Sequence, residues 1–328
     1  MHFPLLHVLY LALILNELKL HGMYCRNVTV CDFSEHRYGI QWVCVRPLEE
    51  LCPREMNWYE KEFAKNKTSF AAGSLFKIGV SYQAEIKGSG SEIQSEKGNN
   101  KHEKYLKSCQ RDKRTNVETN KVSGYFENGL WHSTVCNNSI KTLEQGKTCL
   151  RNKIIHLIGD STVRQLDVEL ASFLKIRHQT FGPSMCWSMP RMAKDEQNNF
   201  SMKYRAHGHP LHNTGDRESR PPIVETLIKI SPNNSRETVV VFNVGAHFVL
   251  YDPDIFLYRL KAIRRALDSL KKRLPNVKIF VKGNVANREV SDLVPGEWVL
   301  YRLNQIFRQY FNDNPYIDTW SMSSVHPH

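Results

Sequence analysis

From residue 154 onward the chain alternates compact apolar runs with longer stretches in which apolar residues recur every three or four positions. The first run, Ile154-Ile155-His156-Leu157-Ile158, stops at Gly159. Ser161 to Lys175 then places Val163, Leu166, Val168, Leu170, Phe173 and Leu174 at helical spacing, so the local reading is strand, tight turn, helix. A second strand is predicted over Thr238 to Asn243, with Gly245 beyond it. Asp254 to Leu274 follows as a long basic amphipathic helix closed by Pro275, and Val277 to Val281 as a third strand. A further helix ends near Phe311. Short apolar strands separated by helices imply parallel pairing with helices on both sheet faces, an α/β layered fold. Ligands on such sheets bind beyond the carboxyl ends of the strands, where Ser161, Asn243 and Asn284 all fall.

The earlier part of the chain lacks this rhythm. Residues 1–23 read as a signal peptide: they begin with an apolar run, Met1 to Leu15, of the length of a signal-peptide core and short for a membrane span. It has no leading Lys or Arg, so a buried helix is the competing assignment. Residues 24–86 hold strand-like pieces, Gly39 to Val45 and Ser74 to Tyr82, among four cysteines, and read as a small β-rich, disulfide-bearing segment. Residues 87–121 turn to Gly, Ser, Asn, Lys and Glu, which bury too little to offset the cost of ordering, and read as a linker or loop. The main domain is expected over residues 122–328.

Composition narrows the class. The 328 residues are 41% hydrophobic, enough for a buried core, and carry a formal charge of +12. That charge favours acidic partners in general. The basic residues are scattered or lie on helical faces, as at Arg264-Arg265 and Lys271-Lys272-Arg273, with no nucleic-acid motif beside them, so nucleic acid is not an expected partner. The eight cysteines show no CxxC spacing and no clustering with histidine, which favours disulfides over zinc. Sequons at Asn27, Asn66, Asn137, Asn199 and Asn233 agree with N-glycosylation on the secretory route. After the signal region no run is long and apolar enough to span a bilayer. A product in the ER or Golgi lumen, or secreted, is therefore expected.

The chemistry centres on Gly159-Asp160-Ser161. Ser161 opens a helix directly after a buried strand, so its hydroxyl is presented at the sheet edge beside the outward N–H groups of the first turn. Gly159 permits the sharp exit, and Asp160 or Ser161 caps the helix. A serine nucleophile requires a base, and His326 is the candidate, with Asp318 as the near acid. Asn243 and Gly245 are candidate oxyanion donors, or simply a strand-end turn. Arg164, His207 and His247 are candidate cleft residues. His207 with His209 could also bind metal, although a spacing of two on a loop is a poor zinc pattern, and no metal is assigned.

Ile158 to Gln165 closely resembles the signature segment of the neurexophilin and PC-esterase (NXPE) family. Further matching segments follow in the family's order: Ser123-Gly124-Tyr125-Phe126, Gly129-Leu130-Trp131, Ala206 to Pro210, Gly245-Ala246-His247-Phe248, Ile263 to Ala266, Ile317 to Trp320 and Val325-His326-Pro327. A weaker likeness to the neurexophilin-like region covers about residues 24–85. The PC-esterase domain is similar to SGNH/GDSL hydrolases and to glycan O-acetyltransferases. The resemblance thus implies an SGNH/GDSL-like sheet with Ser161 as the acylated nucleophile, His326 as base and acid, and Asp318 as its orienting acid. Oxyanion donors would be the Ser161 N–H with Gly245 or Asn243. It further implies a glycan or glycoprotein substrate such as a sialic acid, and an acyl donor such as acetyl-CoA with no bound cofactor. Two departures stand out. Related acyltransferases carry an acid three residues before the histidine, where this chain has Ser323, and members of the family usually continue past the His-Pro element with a closing helix. The alternative is a secreted binding module, a neurexophilin-like ligand for a cell-surface receptor with a decayed esterase domain.

Overall fold

The computed structural model describes residues 30–32, 34–40, 43–45, 123–137, 140–180, 189–208, 220–232, 235–249, 251, 253–286 and 297–324. In chain order the strands are β1 (Val30–Asp32), β2 (Val43–Val45), β3 (Gly124–Glu127), β4 (Leu130–Ser133), β5 (Lys153–Gly159), β6 (His178–Thr180), β7 (Arg191–Asp195), β8 (Phe200–Ala206), β9 (Glu237–Phe242), β10 (Lys278–Lys282) and β11 (Tyr316–Ile317). The helices are α1 (Leu143–Leu150), α2 (Ser161–Leu174), α3 (Ile223–Ile228), α4 (Pro253–Arg273), α5 (Glu297–Tyr310) and α6 (Thr319–Ser324).

Seven strands form one sheet in the order β11-β10-β9-β5-β8-β7-β6. The five strands from β11 to β8 pair in parallel, while β7 and β6 continue antiparallel beyond β8. Within the parallel part β5 comes first in sequence, β8 lies on one side of it and β9, β10 and β11 on the other, so the direction of winding reverses between β5 and β9. That reversal opens the crevice at the carboxyl ends where doubly wound sheets hold ligands.

Both faces are covered, as continuous apolar strands require. Side chains alternate across the sheet: Ile155, Leu157, Val239 and Val241 pack with Val163, Ala171 and Leu174 of α2, whereas Ile158, Val240, Phe242, Ile279 and Val281 pack under α3, α4 and α5. The predicted segments over β5, α2, β9, α4 and β10 agree with the observed elements to within one or two residues. The strands β6, β7 and β8 are not anticipated by the apolar runs, because β8 interleaves the polar Ser201, Lys203 and Arg205 with its apolar residues.

Near the N-terminus, β1 and β2 form a small antiparallel pair. Between them a one-turn helix over His36–Tyr38 ends at Gly39, whose φ of 69° is left-handed and suits glycine. This turn docks on α4: Arg259 Nε donates to the Gly39 carbonyl at 3.1 Å, and the Tyr258 hydroxyl pairs with His36 Nδ1 at 2.7 Å. A β-carbon at Gly39 would run into Ala262. The predicted strand over Ser74 to Tyr82 and the linker over residues 87–121 lie outside the described residues. Cys31 and Cys136 are each one half of a disulfide, and Cys149 is free and exposed. Among the described residues no helix is long and apolar enough to cross a membrane.

Candidate active site

β5 ends at Gly159, buried Asp160 follows, and exposed Ser161 is the first residue of α2. Gly159 is required for space rather than for an unusual φ. A β-carbon there would strike the Val163 side chain and lie 3.1 Å from the Asn243 carbonyl. Asp160 is the helix cap: its Oδ1 accepts from the Thr162 N–H at 2.9 Å and from the Thr162 hydroxyl at 2.7 Å. The nucleophile candidate therefore stands on a turn pinned from below, with the first-turn amides of a 14-residue helix beside it.

Beneath this turn lies a buried charge cluster. Lys282, the last residue of β10 and only 3% exposed, directs Nζ to the Thr162 hydroxyl oxygen at 3.0 Å and to the Gly283 carbonyl at 3.2 Å. Burial pulls its pKa down to about 8 against the attraction of Asp160. For Asp160, burial acts to raise the pKa. His207, the Thr162 hydrogen bond, His247 and Lys282 together outweigh it and hold the carboxyl below its ordinary value. His207 is buried just after β8, and its Nδ1–H donates to the Gly208 carbonyl at 2.7 Å. Its ring lies 5.0 Å from that of half-exposed His247, which sits in the turn after β9. The two histidines singled out from sequence thus meet beside Asp160, contributed by different strands. His209 lies outside the described residues.

Asn243 occupies the strand end as expected, but it is wholly buried. Its Nδ2 donates to the Lys282 carbonyl at 2.9 Å and to Asn284 Oδ1 at 3.0 Å, which directs the amide inward to brace β9 against β10. Gly245 lies against the Asn284 amide, where any side chain would collide. Asn284 is itself fixed by its N–H, which donates to Asn304 Oδ1 at 2.8 Å.

Asp318 caps α6: its Oδ1 accepts from the Ser321 N–H at 3.1 Å and its Oδ2 from the Ser321 hydroxyl at 2.7 Å. Ser323, in the position where related acyltransferases carry an acid, accepts from the Ala286 N–H at 2.7 Å and ties α6 to the end of β10. His326 lies outside the described residues. Arg164, one turn into α2, acts on the buried Asp167 and on Tyr204, which places its charge toward the β8 side. Of the sequons, Asn137 and Asn199 are exposed, and Asn27, Asn66 and Asn233 lie outside the described residues.

Lys282 is the functional candidate that sequence reading missed. The signal was present as a lysine immediately after the apolar run of β10 and before Gly283-Asn284, at the sheet edge where ligands bind. An exposed serine on a helix-opening turn, with a buried acid and lysine and two histidines below it, suits chemistry in which negative charge develops at the helix N-terminus. The family model for the NXPE family member 4-like C-terminal domain matches residues 131–328, which include all of the main sheet and this site. With more than half of its length covered by that match, the chain belongs to the NXPE family.

Proposed function

We propose that this protein is a serine-dependent acyl-ester enzyme of the secretory-pathway lumen, a glycan O-acetyltransferase or O-acetylesterase. The observation that carries the reading is exposed Ser161 at the first position of α2, at the winding reversal of the sheet. Ser161 Oγ attacks the acyl carbonyl while His326 takes its proton, and the N–H groups of Ser161 and Gly245 receive the oxyanion. Collapse expels the donor group, which regains the proton from His326, and leaves the acyl group on Ser161. A second hydroxyl, deprotonated by His326, then takes the acyl group: water gives an esterase, and a sugar hydroxyl gives a transferase. Acetyl-CoA or an acetylated glycan suits the donor role, and a sialic acid the acceptor role. The sequons, the cysteines and the apolar N-terminal run support passage through the lumen.

One observation favours a second reading. Asp318 accepts from Ser321 at both carboxylate oxygens as the cap of α6, and Ser323 stands where related acyltransferases carry the acid. A family member whose acid serves only as a helix cap fits a secreted binding module that engages a cell-surface receptor.

A fluorophosphonate probe applied to the purified secreted protein separates the two readings. The enzyme reading expects a single adduct on Ser161 by mass spectrometry, abolished in Ser161→Ala and strongly slowed in His326→Ala. A folded protein that takes up no probe, or takes it up equally in Ser161→Ala, overturns that reading in favour of the binding module.

A further inference from the structure

A lysine buried to 3% exposure is costly to keep charged, and this one lies directly below the turn that presents Ser161. Thr162 links the two. Its hydroxyl donates to Asp160 Oδ1 at 2.7 Å and accepts from Lys282 Nζ at 3.0 Å, so the one proton and one of the lone pairs run in a fixed direction from ammonium to carboxylate. The same lysine's carbonyl accepts from Asn243, so its backbone anchors the β9 end as well. One residue therefore ties the strand end after which Gly245 lies to the helix turn on which Ser161 stands.

We propose that Lys282 is a positioning residue for the nucleophile: its ammonium, acting through the Thr162 hydroxyl and the Asp160 cap, fixes the first turn of α2 so that the Ser161 hydroxyl and amide hold their reactive geometry. This rests on the acyl-enzyme reading above. The ammonium also sets a positive charge below the point where the oxyanion forms, a contribution that disappears when it loses its proton. Asp160, which closes β5, acts on the ammonium and is itself acted on by His207 after β8 and His247 after β9, while α2 contributes the neutral Thr162 hydroxyl. From the β11 side come Tyr316, whose hydroxyl donates to Asn304, and Asp318, which is held by Ser321. Asp160 is thus the charged group that acts directly on the lysine. Removing Lys282 should leave Ser161 in place but lower its reactivity, because a helix turn free to relax by even a fraction of an ångström loses the aligned attack geometry.

The test is the rate of fluorophosphonate labelling at Ser161, followed against pH in the full chain, for the wild type, Lys282→Met, Thr162→Val and the double variant, each checked for fold by far-UV circular dichroism. The expected result is a loss of about 10- to 100-fold in Lys282→Met, the size of one lost charge-assisted contact in an active site. Thr162→Val should lose a similar amount, and the double variant should be no slower than the slower single change, because both break one relay. The wild-type rate should fall on the alkaline side as the lysine deprotonates, and that fall should vanish in Lys282→Met. Wild-type speed and an unchanged pH profile in Lys282→Met, or losses that simply multiply in the double variant, overturn the role of Lys282 while the acyl-enzyme reading stands. A wild type that does not label overturns both. Should Lys282→Met fail to fold, the pH profile of Thr162→Val decides: a profile that keeps the wild-type alkaline fall at full rate overturns the proposal.

Discussion

Replacing Lys282 by methionine should stabilise the fold at neutral pH, and the gain should shrink as pH rises. The side chain lies under α2 with its ammonium out of water, and burial lowers its pKa from the ordinary 10.5 to about 8 despite Asp160 nearby. The unfolded chain therefore binds more protons than the native one between those two values, so native stability rises with pH across that window and is flat below it. At 1.36 kcal/mol per pH unit, the gap amounts to about 3 kcal/mol of destabilisation at pH 7, a figure already net of the Asp160 attraction. Methionine has a similar length and volume and no charge to desolvate, so Lys282→Met should gain up to about 3 kcal/mol at about pH 7, less the hydrogen bonds to Thr162 and the Gly283 carbonyl that it gives up. At about pH 9.5 roughly one pH unit of penalty remains, and the gain should shrink by about 2 kcal/mol from its value at pH 7. Urea titrations followed by circular dichroism at the two pH values measure both. A variant that is less stable than the wild type at neutral pH, or a difference that does not change with pH, would refute the reasoning. A lysine that costs stability where an apolar residue would add it is what a site kept for chemistry rather than for folding should show.

Arg259, 1% exposed and the largest of the fully buried side chains among the described residues, joins α4 to the turn at Gly39 and stacks 5.5 Å over Phe248. Arg259→Ala should cost about 3 kcal/mol or more, from the cavity and the broken buried contact. It should also loosen the turn at His36–Tyr38, so that trypsin cuts after the surface residue Arg37 at concentrations that leave the wild type intact. Asp318→Asn keeps an acceptor for the Ser321 N–H, so it should lower stability by less than about 1 kcal/mol. Because the carboxylate is already held by Ser321, the same change should slow Ser161 labelling by less than about 10-fold, against the roughly 10,000-fold loss known for the orienting acid of a working triad. A loss of that larger size would return Asp318 to the triad.

What the sequence determined by itself is local. The apolar run over β5, the helical spacing over α2, and the same alternation through β9, α4 and β10 each depend on residues within a few positions of one another, and periodicity reports such neighbours directly. The position of Ser161 follows from that segmentation together with the general rule for parallel sheets. Tertiary structure decided the partners. Lys282 meets Thr162 across 120 positions, and Asn243 meets the Lys282 carbonyl and Asn284 across about 40. His207 and His247 converge because β8 and β9 flank β5, an order that no spacing along the chain encodes. The antiparallel extension through β7 and β6 was hidden for a related reason: polar residues alternate along β8, which breaks the apolar run that marks a central strand. The sense of a side chain is also settled only in three dimensions. Asn243 lies where the sequence puts it, yet both amide hydrogens go to its own scaffold, because a buried polar group at a strand end takes the nearest partner that burial leaves it.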